Sequence, residues 1–286
     1  MMVRSFVEVF EEFRKAGVED PLAETLHLAD LVAGGALRRS GLSLLEERGI
    51  DTAELVRQRA EGRPLEYILG VAPFLGEVLR CAPGALIPRE ETELLALTCL
   101  EYIASMQNGG RRDLKVIEIG TGSGNIAVLL ALRSKDTMIW ASDISPEAVE
   151  VARENVERFG LGDRVRLSCG DLFEPMRGQG LEGVTDIVVC NPPYIPSSSV
   201  DRLDPSIRDH EPRVALDAGA YGIDIFRRLI ADAPVFLRPG GVLAFEIGTG
   251  QEKFVDRLFS KSGGAWSSVE HFDDGEKIRV FGAVRA

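Results

Sequence analysis

From residue 114 onward, short apolar segments alternate with helical ones, and this alternation restricts the fold more than any other feature of the sequence. The segments that read as strands are KVIEIG, TMIWASD, RVRLSCGD, TDIVVCN, GVLAFEIG and KIRVFGAVRA. Runs as apolar as DIVVC are typical of strands that are covered on both faces. Because repeated β–α units form right-handed crossovers, we predict an α/β fold with a mostly parallel, doubly wound sheet.

The beginning of the chain has a helical period instead. Val9 and Phe13 fall on one face of a first predicted helix. Asp20 followed by Pro21 is typical of the N-cap and first position of a second helix. We therefore predict a small helical domain over residues 1–75.

Glycine and proline interrupt the chain after this region. Short apolar pieces around Gly76 and Gly84 indicate a hairpin, so we predict a linker over residues 76–90. The α/β domain then covers residues 91–286, and its first helix begins near Glu90.

Composition excludes several classes of protein. The net charge of −12 argues against a broad nucleic-acid surface, so we expect no direct DNA binding. No apolar run approaches the ~18 residues of a membrane span, and the N-terminus lacks the pattern of a signal peptide. We expect a cytoplasmic monomer. The three histidines are far apart and the four cysteines form no C-x-x-C pair, so we predict no metal site.

A glycine-rich turn follows the first strand of the α/β domain. The sequence VIEIGTGSGN places Thr121 and Ser123 between Gly120, Gly122 and Gly124. Glycines in such a turn allow a ligand to approach backbone N–H groups at a helix N-terminus. A dinucleotide fingerprint would have a third glycine where this turn has asparagine, and the lysine of a P-loop is missing.

An acidic residue accompanies this turn. Asp143 ends the second strand, where a carboxylate can accept both hydroxyls of a ribose. A nucleoside without phosphates fits both features, which points to S-adenosylmethionine. After the third strand, Asp171 could contact adenine and Leu172 could form an apolar wall for its ring. Each residue also has a structural explanation, because Asp143 could cap the next helix and Asp171 could cap a turn.

The sequence Asn-Pro-Pro-Tyr follows the fourth strand, on the same edge of the sheet as the glycine turn. Two prolines stiffen the backbone, and no strand or helix continues through them. The Asn191 side-chain oxygen and the Pro192 carbonyl could each accept one N–H of a planar –C(=X)–NH2 group. Pro193 would rigidify the turn and Tyr194 would stack on the planar group.

This arrangement suits methyl transfer to an amide nitrogen. The lone pair of an amide is delocalised, so the nitrogen is a poor nucleophile, and positive charge grows on it during displacement at a sulfonium methyl. Two fixed oxygen acceptors stabilise that charge more in the transition state than in the ground state. The alternative is a structural turn without catalytic function.

Six segments of the chain resemble the release factor glutamine N5-methyltransferase family of the HemK/PrmC type. They are NPPYI, IPREETELL, EIGTGSGNIA, DISPEAVEVARENV, EPRVALDAG and LRPGGVLAFEIG. The resemblance implies methylation of the glutamine in the Gly-Gly-Gln motif of peptide chain release factors. It also implies a Rossmann-like class I methyltransferase sheet of seven strands, mostly parallel with an antiparallel last strand, and a helical domain that recognises the substrate.

The resemblance assigns roles to individual residues. It implies that residues 120–124, Asp143, Leu172 and Asn191 contact the cofactor. It further implies that Asn191 to Tyr194 hold the substrate glutamine, and that Arg89 and Thr92 lie near the mouth of the site. Relatives have a proline where this chain has glutamate after Arg89, and often an aromatic residue in place of Leu172.

Other functions remain open. Glutamine methylation of a ribosomal protein is a close variant that the sequence does not distinguish. Adenine-N6 DNA methyltransferases share Asn-Pro-Pro-Tyr, but they need basic surface to reach and flip a base. A non-enzymatic binding module is a third reading. The long segment over residues 195–220 is predicted to help hold the protein substrate.

Overall fold

A computed structural model describes residues 6–33, 51–220 and 222–286. In its N-terminal part lie the helices α1 (Phe6–Lys15), α2 (Pro21–Ala33), α3 (Thr52–Ala60) and α4 (Leu65–Leu69). Val9 and Phe13 are wholly buried in one apolar cluster with Leu28 and Leu55, as the helical period predicts. Helices α2 and α3 are capped at their N-termini, because the Asp20 side chain accepts the N–H of Ala23 and the Asp51 side chain accepts the N–H of Ala53.

A hairpin connects the helices to the α/β part of the chain. It consists of β1 (Val71–Phe74) and β2 (Glu77–Arg80), which pair antiparallel. The hairpin thus begins before residue 76, and the division into domains stays a prediction. Asn155 anchors the hairpin, because its side chain accepts the N–H of Arg80 at 2.6 Å and donates to the carbonyl of Arg80 at 3.0 Å.

The large sheet has seven strands in the order β5-β4-β3-β6-β7-β9-β8. They are β3 (Leu114–Ile119), β4 (Thr137–Asp143), β5 (Val165–Cys169), β6 (Thr185–Cys190), β7 (Leu237–Glu246), β8 (Trp266–Asp273) and β9 (Ile278–Arg285). Strands β3 to β7 are mutually parallel, whereas β9 is antiparallel to both of its neighbours. This sheet confirms the predicted fold class.

Helices cover both faces of the sheet, in agreement with its apolar strands. They are α5 (Glu90–Asn108), α6 (Asn125–Arg133), α7 (Pro146–Arg158), α10 (Asp224–Phe236) and α11 (Glu252–Ser260). On β6, Val189 faces a cluster that includes Leu95 and Val128, while Val188 faces a cluster that includes Phe226 and Phe281. The alternate side chains of one strand therefore pack into two separate cores.

The segment over residues 195–220 is folded back on itself. It contains the short helices α8 (Ser197–Val200) and α9 (Pro205–Arg208) and a 3-10 turn (Arg213–Ala215). A parallel bridge between Ile195 and Asp217 joins its ends.

In the described part of the chain, no helix has both the length and the apolar character needed to cross a lipid bilayer.

Candidate active site

The order of the strands reverses between β3 and β6, and in such sheets ligands bind outside the carboxyl ends of the strands at this point. A cavity of about 360 Å³ opens there, within the size range of small-molecule sites. Most of the predicted site residues line it: Gly120, Thr121, Gly122, Ser123, Asp143, Asp171, Leu172, Asn191, Pro192, Pro193, Arg89 and Thr92. The predicted residues that do not line it are Gly124 and Tyr194.

The glycine turn has a backbone that needs glycine. Gly120, Gly122 and Gly124 have φ angles of 71°, 55° and 79°, in the left-handed region that side chains disfavour. Gly124 has a second role, since a Cβ there would lie 3.1 Å from the Cβ of Ala152 on α7. Gly124 therefore permits close helix packing, whereas the first two glycines shape the floor of the cavity.

Asp143 connects the turn to the start of α7. One carboxylate oxygen accepts the N–H of Gly122 and the other accepts that of Ser145, both at 2.9 Å. Ser145 itself caps α7 by accepting the N–H of Ala148. Burial raises the pKa of Asp143, and the backbone hydrogen bonds oppose that shift. Ser145 and not Asp143 therefore caps α7, while Asp143 holds Ser145 and the glycine turn in place and also lines the cavity.

Asp171 and Leu172 follow β5 and also line the cavity. Asp171 pairs with Arg228 of α10 at 2.5 Å. Leu172 has a φ of 47°, which is uncommon for a residue with a branched side chain, and its carbonyl accepts the hydroxyl of Ser142. The strained backbone places an apolar side chain against the cavity, and Arg228 was not foreseen from sequence.

Asn191 follows β6 and is held by α5. Its side-chain Nδ2 donates to the Thr92 hydroxyl oxygen at 2.8 Å, and the Thr92 hydroxyl donates to the Glu246 carboxylate at 2.8 Å. Neither hydrogen bond uses the side-chain oxygen of Asn191. Thr92 lines the cavity but is only 2% exposed, so it lies in the interior and not at an exposed mouth.

Tyr194 lines a second, smaller cavity of about 150 Å³ next to the first. Arg89, Asn191, Pro192 and Pro193 border both cavities. The remaining lining of the second is mainly apolar: Leu86, Ile195, Leu203, Ile207, Ala215 and Leu216. The Asn-Pro-Pro-Tyr segment therefore forms the partition between the two cavities.

Gln251 and Glu211, which line neither cavity, hold the partition and the neighbouring Arg89 in place. The Tyr194 carbonyl accepts a hydrogen bond from Gln251 at 2.9 Å. Arg89 pairs with the buried Glu211, whose other oxygen accepts the N–H of Ile87 at 3.2 Å. Burial raises the pKa of Glu211, and the Arg89 charge opposes the shift. The segment over residues 195–220 is thereby fixed to the chain just before α5.

Two buried glutamates also belong to the site and were not predicted. Glu118 on β3 is 1% exposed and accepts the hydroxyl of Thr121 at 2.8 Å. Burial raises the pKa of Glu118 to about 8. Glu246 on β7 accepts Thr92, as described above. A signal was present, because VIEIG and AFEIG each place one charged residue in an otherwise apolar strand.

Solved structures of methyltransferases share this fold. The catalytic domain of hMettl16, solved with an RNA hairpin, is 18% identical with a TM-score of 0.56 and 82% coverage of each chain. The T. thermophilus 16S rRNA methyltransferase RsmC, solved with AdoMet and guanosine, is 19% identical with a TM-score of 0.53, covering 76% of this chain and 50% of that one. The family model "Methyltransferase small domain" matches residues 99–203. The chain therefore has the fold of class I methyltransferases.

Curated relatives specify the family. The Geobacter sulfurreducens release factor glutamine methyltransferase is 38% identical, covering 86% of this chain and 84% of the relative. Those of Gloeobacter violaceus and Moorella thermoacetica are 40% and 36% identical, with 84% and 93% of this chain and 82% and 92% of the relatives covered. The chain belongs to the release factor glutamine methyltransferase family.

Proposed function

We propose that this enzyme transfers a methyl group from S-adenosylmethionine to the side-chain amide nitrogen of glutamine in the Gly-Gly-Gln motif of peptide chain release factors. The observation that carries the proposal is the position of Asn191. Its amide nitrogen is engaged by Thr92, while its oxygen is left as an acceptor beside Pro192 in the large cavity. The names of the relatives provide the identity of the protein substrate.

The large cavity suits S-adenosylmethionine. The glycine turn and the Asp143 carboxylate would hold the amino acid and ribose parts, because both lie at the carboxyl ends of adjacent strands and line the cavity. Asp171 and Leu172 would contact the adenine. When bound, this cofactor supplies an electrophilic methyl group on a sulfonium.

The residues of the partition orient and activate the glutamine. Asn191 Oδ1 and the Pro192 carbonyl would each accept one N–H of the substrate amide, and Tyr194 would pack against its plane. Since both acceptors are attached to a rigid backbone, they need no reorganisation as positive charge develops on the nitrogen. No general base is assigned, and the proton leaves to water after transfer.

The second cavity provides a route for the protein substrate. Asn191 and Tyr194 line this cavity together with residues of the 195–220 segment. A loop carrying the glutamine could therefore reach Asn191 from that side. We propose that this segment, Arg89 and the helical domain contact the release factor. A monomeric enzyme acting in the cytoplasm, where translation ends, is consistent with such a substrate.

A ribosomal protein glutamine is the alternative substrate that the same site would accept. Adenine-N6 of DNA is disfavoured, because the net charge of −12 opposes binding to a polyanion. The names of the relatives favour a release factor over both.

One experiment tests substrate and position together. The protein is incubated with labelled S-adenosylmethionine and either purified release factors or variants whose Gly-Gly-Gln glutamine is replaced by alanine. We expect label on the wild-type factor only, and mass spectrometry should locate it on the glutamine side chain. Label that persists in the alanine variant, or a wild-type factor that takes up no label, would contradict the proposal.

A further inference from the structure

Glu246 lies directly behind the catalytic partition. Glu246 is the last residue of β7, which lies beside β6 in the sheet. The register pairs Cys190 of β6 with Phe245 of β7, so the next residues, Asn191 and Glu246, are side by side. Its side chain is 1% exposed. One carboxylate oxygen accepts the Thr92 hydroxyl at 2.8 Å, and Arg279 lies 3.4 Å from the other.

The direction of these hydrogen bonds determines how Asn191 is oriented. An ionised carboxylate accepts hydrogen bonds and donates none. The one hydroxyl proton of Thr92 is therefore committed to Glu246, and the Thr92 oxygen is left to accept from Asn191. The two ends of a side-chain amide are nearly equal in shape, so packing alone does not select between them. The nitrogen of Asn191 must face Thr92, which leaves its oxygen for the cavity.

We propose that Glu246 is a positioning residue, which acts through Thr92 to keep the side-chain oxygen of Asn191 directed toward the substrate amide. The inference rests on the proposed function, since an acceptor is needed there only if the substrate presents N–H groups. Glu246 contacts neither cofactor nor glutamine in this role. It removes the alternative orientation, in which the NH2 of Asn191 would oppose the NH2 of the substrate.

The charge on Glu246 is essential to this role. A protonated Glu246 could donate to Thr92, which could then donate to Asn191 Oδ1 and reverse the chain of hydrogen bonds. The pKa of Glu246 is raised above its ordinary value, chiefly by burial and also by the charge of Glu91 on α5. The hydrogen bond from Thr92, the charge of Arg279 and a hydrogen bond with Tyr194 oppose this shift. Acidification should therefore reverse the chain in a fraction of the molecules.

The test uses the full-length protein with a release factor as substrate. Glu246→Gln keeps the shape but no longer imposes a direction, and Thr92→Val removes the connecting hydroxyl. For both we expect kcat to fall by about tenfold to a hundredfold, with the Kd for S-adenosylmethionine unchanged. Thr92→Ser should restore most of the activity. In the wild type, protonation of Glu246 should lower kcat as the pH falls. This decrease of kcat at low pH should be missing in Glu246→Gln.

Glu270→Gln is the matched control. Glu270 on β8 also accepts a hydroxyl from α5, that of Tyr102 at 2.9 Å, but it does so about 15 Å further along the helix from Thr92. We expect an unchanged kcat and pH profile. If Glu246→Gln retains the wild-type kcat and profile while the wild type methylates the release factor, the inference fails and the proposed function stands.

A second measurement does not depend on activity. Neutron diffraction from crystals of the deuterium-exchanged wild type locates the amide deuterons of Asn191. Deuterons directed at the Thr92 oxygen support the inference even if release factors are not methylated, in which case only the proposed function fails. An Asn191 oxygen directed at Thr92 would overturn it.

Discussion

The Asp143 carboxylate accepts the backbone N–H of Gly122 at 2.9 Å, which joins the end of β4 to the turn that follows β3. The other oxygen accepts the N–H of Ser145 at the start of α7. One side chain therefore fixes the shape of the glycine turn and presents negative charge to the same cavity. An asparagine at this position would lack the charge and would keep only one of the two acceptor oxygens, so it would also lose one of these two backbone hydrogen bonds.

Asp143→Asn should weaken the binding of S-adenosylmethionine. Hydrogen bonds to a charged group contribute about 1.5–3 kcal/mol, so we expect the Kd to rise about tenfold to a hundredfold. Isothermal titration calorimetry measures this change. Asp136→Asn serves as the control, since Asp136 is exposed just before the opposite end of β4, and its Kd should equal that of the wild type. An unchanged Kd in Asp143→Asn would exclude Asp143 as a cofactor ligand.

Asn191→Ala should separate binding from catalysis. The substitution removes one of the two proposed acceptors but leaves the glycine turn and Asp143 in place, so cofactor affinity should remain mostly intact. The kcat should fall by at least about a hundredfold, which is the effect of removing one preorganised transition-state contact in other enzymes. Single-turnover transfer to a release factor, with cofactor affinity measured in parallel, distinguishes the two effects. Full activity would refute the proposed mechanism.

Local signals predicted the elements of the fold well. Helix α2 begins at Pro21 after Asp20, as its cap sequence predicts, because capping involves residues adjacent in the chain. Strand β8 has no counterpart among the predicted strands. It lies at the edge of the sheet with most side chains exposed, so its sequence WSSVEHFD lacks a continuous apolar face.

The site was predictable only where its residues follow strands directly. Glycine turn, Asp143 and Asn191 could be placed on one edge of the sheet by topology alone. The pairing of Thr92 with Glu246 spans 154 positions, and that of Asp171 with Arg228 spans 57. Such pairs depend on how α5 and α10 pack against the sheet, which no local pattern specifies.

Gly248→Ala should impair catalysis by moving Tyr194. A Cβ at this position would lie 2.9 Å from Cδ2 of Tyr194 and 3.0 Å from the side-chain oxygen of Gln251. The side-chain nitrogen of the same Gln251 donates to the Tyr194 carbonyl. Misplacing the partition by about 1 Å should lower kcat by up to about a hundredfold. Gly162→Ala is the control, because a Cβ there meets no atom within 4 Å. Equal kcat values in the two variants would show that the partition tolerates the shift.

The buried Glu118 makes a prediction about stability and pH. Its pKa is raised from the ordinary 4.5 to about 8, chiefly by burial, although the Thr121 hydroxyl and the Ala127 N–H oppose the shift. Between these pH values the folded protein holds a proton that the unfolded chain has released. The contribution of Glu118 to the free energy of unfolding is therefore fully present below pH 4.5 and is lost as the pH rises to about 8.

Glu118→Gln should remove this dependence, because glutamine resembles the protonated acid and does not titrate. In urea unfolding of the cofactor-free protein, the stability of Glu118→Gln relative to the wild type should increase with pH from 4.5 to about 8 and then become constant. The slope should be at most about 1.4 kcal/mol per pH unit. Glu101→Gln, on the exposed side of α5, should show no such trend. A stability difference between Glu118→Gln and the wild type that is constant with pH would mean that Glu118 is already ionised near pH 4.5, and that the surroundings of Thr121 stabilise its charge despite burial.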